Sequence, residues 1–169
     1  FIRDSTGRKE AEEQLKRSEA ELRLGQELAN LGNYVVHVLG DEPDYFSTQL
    51  YRILDVPVSG ERVSREDFFE RWVHAADRDR VIEAFSRMDA SGVPLDIEYQ
   101  VSLRNGRIRH LHHIAQAVRD ASGRVTKHVG TMHDVTDRRH AEDEARQLQD
   151  RLTHFSRLST MGEMAAGLA

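Results

Sequence analysis

Nine histidines and no cysteine are present in this 169-residue chain, so metal or proton chemistry would run through imidazole and carboxylate groups. The densest group is "HLHH", which holds His110, His112 and His113. On a strand, His110 and His112 share one face. If the following "DASG" turn closes as a two-residue loop, His133 lies opposite His110 and three imidazoles gather. If Gly123 forms a bulge instead, the register slips by one and His133 moves to the other face. Three neutral imidazoles would bind zinc or titrate near pH ~6.5. A plain polar strand face is the competing reading. It takes precedence, because no carboxylate or thiolate stands at an obvious ligand spacing. Seven rings, Phe46, Tyr51, Phe68, Phe69, Trp72, Phe85 and Tyr99, are the candidates to line a cavity, and a ligand pocket and a packed core share that pattern. No Gly-rich phosphate loop and no Ser/His/Asp or paired-carboxylate constellation stands out, so no catalytic residue is expected.

The elements that position these residues follow from periodicity. "GRKEAEEQLKRSEAELRLGQELANL" reads as a helix with Thr6 as its N-cap. Ala11, Leu15, Ser18 and Leu22 form a weak seam. Glu12–Lys16, Glu13–Arg17 and Glu19–Arg23 are favourable i,i+4 pairs of about 0.2–0.5 kcal/mol each. Gly25 is expected to loosen this helix into a short cap helix that ends at Gly32 and is free to cover one sheet face. "NYVVHVL" and a short segment ending near Phe46–Ser47 read as strands. "TQLYRIL", "SREDFFERWVH" and "DRDRVIEAFSRMDASG" read as short helices, with Ser64 and Asp67 spaced as a capping box. "DIEYQVSL" alternates, placing Ile97, Tyr99, Val101 and Leu103 on one face. "RNGR" is a hairpin turn, and "RIRHLHHIAQAVRD" and "RVTKHVGTMHDVT" are two further strands. The predicted class is α+β: a five-stranded antiparallel sheet with short helices on one face, flanked by coiled-coil-like end helices.

The end helices share a phrase. "DSTGRKEAEEQ" from Asp4 recurs as "DVTDRRHAEDE" from Asp134, so Asp4, Thr6, Arg8, Ala11 and Glu12 return as Asp134, Thr136, Arg138, Ala141 and Glu142. At the second copy a strand becomes a helix. Asp134 and Thr136 have the short oxygen-bearing side chains that cap helix donors, and Asp137 suits the positive helix end. Asp134, Thr136, Asp137 and Arg138 are therefore the candidate signal junction. The net charge of −5 and pI near 6.0 leave no basic stripe for nucleic acid. No apolar run is long enough to span a bilayer. The expectation is a cytoplasmic fragment without membrane contact, cut from a longer protein because it opens on Phe1.

Three stretches carry a family resemblance. "RWVHAADRDRV" resembles the W-x-x-x-x-H-P-D-D stretch of PAS domains, with His74 and Asp77 in register and Ala75 where Pro is usual. "NGRIRHLHH" is similar to the family's glycine turn and next strand, with His110 where many relatives carry Trp. "GTMHDVTDRRHAE" resembles the closing strand and its D-I-T-x-R-K-x-A-E signature. The resemblance implies that residues 23–136 are a PAS domain. It implies that 1–22 are the exit helix of a preceding PAS domain and that 137–153 are a signalling helix. "HFSRLSTMGEMAAGLA" at 154–169 resembles the opening of a sensor histidine kinase dimerisation helix, whose phosphoacceptor histidine is expected just beyond Ala169. Leu152, Phe155 and Leu158 are spaced 3-3, a phase break in that seam.

The implied role is a sensory PAS module in a tandem array of a homodimeric, bacterial two-component kinase. Its dimer forms through the end helices, and its partners are the kinase catalytic domain and a response regulator. A passive dimerisation spacer and a metal or small-molecule receptor are the alternatives. The absence of cysteine excludes a flavin adduct and a thioester chromophore. Haem is not expected, because the long helix where relatives place the axial histidine has none. The ligand is left open.

Overall fold

A computed structural model describes the backbone of residues 4–39, 43–58 and 64–166, and side chains between residues 7 and 154 of these. The chain divides into two compact units, Phe1–Asp134 and Val135–Ala169. In the first unit the order is α1 (Asp4–Leu28), β1 (Leu31–His37), β2 (Tyr45–Phe46), α2 (Thr48–Leu54), α3 (Arg65–Arg71), α4 (Arg78–Ser91), β3 (Leu95–Ser102), β4 (Ile108–Arg119) and β5 (Val125–Asp134). The strands form one five-stranded antiparallel sheet in the order β2-β1-β5-β4-β3, as the alternation in the sequence predicts.

α1 departs from expectation at both ends. It starts at Asp4, so Thr6 lies inside the helix. Gly25 does not break it, and its carbonyl still accepts from Ala29 N at 3.0 Å. The turn into β1 is made by Asn30, whose φ of 53° takes the left-handed conformation that Asn tolerates. Gly32 sits within β1 for a different reason. A Cβ there would lie 2.7 Å from Leu50 Cα, so the glycine lets α2 come close to the sheet. The far face of the sheet leaves Ile114, Val118 and Val129 exposed, so the expected cap over them is not formed by α1.

The core occupies the other face. Leu50 and Ile53 of α2, Phe69 of α3, and Val81, Phe85 and Met88 of α4 pack with Tyr99, Val101, Leu111 and Met132 of the strands. Caps fix the short helices: Ser47 Oγ accepts from Leu50 N, and Ser64 Oγ from Asp67 N. Ser64 Oγ also lies 2.9 Å from Asp67 Oδ2, in place of the reciprocal backbone bond of a full capping box. The "HAAD" segment fastens the α3–α4 connection to the edge of β3. His74 N donates to Gln100 O at 2.9 Å, Ser102 N donates to Trp72 O at 2.7 Å, and Asp77 Oδ2 accepts from Gln100 N at 2.8 Å.

The second unit is helix α5 (Thr136–Ala166). Arg138 pairs with Glu142 at 2.7 Å on its surface, and Leu148 and Leu152 are exposed. Phe155 and Leu158 lie outside the described side chains. No helix among the described residues is long and apolar enough to cross a membrane.

Candidate functional site

Alternation along β4 sends His110 and His112 to the far face of the sheet and His113 to the core face. The register differs from both expected ones. His133 pairs with His112, two positions beyond the two-residue-loop register and on the same face. Two insertions account for this. The turn holds Ala121–Gly123 between Asp120 and Arg124, whose backbones bond at 3.0 Å, with Gly123 at φ 84°. Thr126 is then left over between Val125, which pairs with Arg119, and Lys127, which pairs with Val118. Two one-residue slips restore the face. His112 Nε2 is engaged by Asp96 Oδ1 at 2.7 Å, and no group of three or more His, Cys, Asp or Glu among the described residues is arranged to hold a metal.

The core face carries the candidate site, a cavity of about 90 Å³ between β1, β5 and the helices. Of the seven rings singled out in the sequence, Phe46, Tyr51, Phe68, Trp72 and Phe85 line it. Phe69 and Tyr99 do not; they are buried in the core, with Phe69 edge-on to Phe85 at 5.2 Å. The rings hold one another in place: Phe68 stacks on Trp72 at 6.3 Å, and Phe46 meets Tyr51 edge-on at 6.1 Å.

The polar members of the wall were not legible as such in the sequence. His113 is fully buried and its two ring nitrogens are both engaged, Nε2 with the Tyr34 hydroxyl and Nδ1 with the Tyr99 hydroxyl, each at 2.9 Å. Burial, with a smaller push from His112, takes the His113 imidazole down to about 3, so it is neutral across the physiological range. Burial likewise raises both tyrosines well above the usual phenol range. Tyr34 reaches this place because Gly130 faces it across the ladder; a Cβ on Gly130 would lie 2.7 Å from the tyrosine ring.

A second polar chain ties three elements together. Arg65 of α3 donates to Asp89 Oδ2 at 2.6 Å, and His128 Nε2 of β5 lies 2.6 Å from Asp89 Oδ1. Arg65 and His128 both line the cavity. Partial burial pushes the Asp89 carboxyl up, but the hydrogen bonds from Arg65 and His128 outweigh it and hold Asp89 below the ordinary carboxylate range.

At the junction, Asp134 closes β5, Thr136 opens α5, Asp137 lies in its first turn and Arg138 bonds Glu142. Asp134 N donates to Asn30 O at 3.3 Å, and its Oδ2 lies 3.4 Å from Arg109 Nε. The same Arg109 donates through Nη1 to the carbonyls of Arg52 and Ile53, at 2.9 and 2.6 Å, at the C-terminal end of α2. Arg109 has no signal of its own in the sequence; only the alternation of β4 would place it on the core face.

This fold matches a known family. The family model described as the PAS fold matches residues 43–132, and the chain belongs to that family. Among solved structures, a sensory box histidine kinase/response regulator from Burkholderia thailandensis is 25% identical at a TM-score of 0.62, covering 79% of this chain and 98% of that one. The N-terminal domain of a diguanylate cyclase with PAS/PAC sensor from Marinobacter aquaeolei is 25% identical at a TM-score of 0.57, covering 65% and 99%. A domain of a putative light and redox sensing histidine kinase from Haloarcula marismortui shares the fold at 16% identity and a TM-score of 0.52, covering 69% and 99%. No curated protein matches the chain.

Proposed function

We propose that this chain is a sensory PAS module of a bacterial two-component histidine kinase, and that it relays the state of its cavity through Asp134-Val135-Thr136 to α5. The observation that carries the reading is the position of Arg109. One guanidinium holds the last carbonyls of α2, a wall of the cavity, and the carboxylate of the last residue of β5. A ligand that moves α2 must therefore strain or release the residue from which α5 continues. The resemblance to the histidine kinase fragment supports the output.

In this reading the repeated phrase at Asp4 and Asp134 marks one period of a tandem array. Residues 1–22 are then the exit helix of a preceding domain, 23–136 the sensor, 137–153 the signalling helix and 154–169 the start of the dimerisation helix. The fragment is cytoplasmic, and the parent is a homodimer that works with its own catalytic domain and a response regulator. The test is autophosphorylation of the full-length parent carrying Asp134→Ala, Thr136→Ala or Arg109→Ala. The expected outcome is loss of the response to stimulus, with the PAS unit still melting cooperatively. Wild-type responses from all three would reduce the module to a passive dimerisation spacer.

A further inference from the structure

The chain Tyr99–His113–Tyr34 has a direction, and that direction identifies what the cavity holds. A neutral imidazole has one donor and one acceptor nitrogen, so one tyrosine gives its hydroxyl hydrogen to His113 and the other accepts. The tyrosine that accepts keeps a hydroxyl hydrogen that needs another partner. Were that tyrosine Tyr99, the hydrogen would be sealed in the core, since Tyr99 is 2% exposed and does not line the cavity. An unmade buried donor is costly. Tyr34, by contrast, lines the cavity. The favoured arrangement is therefore Tyr99 O–H to Nδ1, Nε2–H to the Tyr34 oxygen, and the Tyr34 O–H offered to the cavity. Donation along a chain strengthens the last donor.

The Arg65–Asp89–His128 chain sets the second polar condition. Asp89 is held ionised and can only accept, so His128 Nε2 carries the hydrogen it shares with Asp89. In its neutral form the ring keeps Nδ1 as an acceptor for a bound donor. The guanidinium of Arg65 is already paired with Asp89 at 2.6 Å. An anion brought beside it would meet that carboxylate and lose its own hydration. The remaining walls are aromatic and aliphatic. A volume of about 90 Å³ is smaller than the ~150 Å³ apolar cavity that holds benzene.

We propose that the cavity takes a small, flat, uncharged ring compound that accepts a hydrogen bond from Tyr34 and donates one to His128. The assignment rests on the reading of the chain as a cavity-based sensor, and the experiment separates the two. The 169-residue chain, labelled at its methionine methyls, is titrated with three probes of five heavy atoms each. Pyrazole offers a donor and an acceptor, thiophene offers neither, and acrylate is an anion. Met132 lines the cavity and serves as the local reporter.

The expected result is saturable movement of the Met132 methyl by pyrazole, about fivefold or more tighter than by thiophene, and none by acrylate. Tyr34→Phe should reduce the preference for pyrazole to what the bond to His128 alone supplies, while thiophene binding survives. Equal binding of pyrazole and thiophene to the wild type would overturn the donor assignment and leave the sensor reading intact. Tighter binding of acrylate would overturn the uncharged class and assign the site to Arg65. No movement of Met132 by any probe would sink both the assignment and the cavity-based reading.

Discussion

His113 is a histidine whose charge the fold forbids. In the unfolded chain it titrates near the ordinary ~6.5, whereas in the folded chain it takes its proton only near about 3. Between these values the unfolded state binds more protons, so stability is complete above about pH 6.5 and falls as pH drops toward 3. The expected slope is up to ~1.4 kcal/mol per pH unit. Asp77 and Asp89, both held below the usual range, begin to lose their contributions only beneath about pH 3.9. Urea titrations of the wild type and His113→Gln between about pH 6.5 and 4 should therefore differ in slope, the variant being the flatter; parallel curves would contradict a neutral buried His113. Asp77→Ala should cost about 2 kcal/mol at neutral pH, because it leaves the Gln100 amide without its charged acceptor. The same melts check it. His113 shows why part of the site escapes a reading of the sequence. "HLHH" announces histidines, and alternation puts the third with Leu111 and Ala115, but its function depends on Tyr34 and Tyr99, which lie 79 and 14 residues away along the chain.

Two glycines set how closely the elements approach. Gly32 admits the backbone of α2, whereas Gly130 admits only the ring of Tyr34. Gly32→Ala therefore forces a helix off the sheet and should destabilise the domain by about 1–3 kcal/mol. A denaturation midpoint unchanged in Gly32→Ala would mean that α2 packs less closely than described. Strands and helices were legible from alternation, caps and turn residues, because those signals are local. The β4–β5 register was not. Gly123 signalled one slip, but Thr126 looks like any strand residue and its bulge is visible only in the pairing. The end of α1 is hidden for a related reason: Gly25 reads as a breaker in isolation, while Asn30 adopts the left-handed turn.

At the scale of the molecule, charge and apolar surface are sorted between the ends and the middle. Leu15, Leu22, Leu148 and Leu152 are 56–65% exposed on α1 and α5, the surface expected of helices that pair with a second copy. Native mass spectrometry of the chain should give a dimer, and Leu148→Lys with Leu152→Lys should give a monomer whose PAS unit melts unchanged. A monomeric wild type would contradict pairing through the end helices of this chain alone. The middle has a different property. Trp72 is the one tryptophan of the 169 residues. It is 4% exposed, stacked on Phe68, and forms part of the cavity wall. The protein thus carries its own optical gauge. Light absorbed at the red edge of the aromatic band excites this indole alone, so emission colour and lifetime report the filling of the cavity and the seating of α3 without a label.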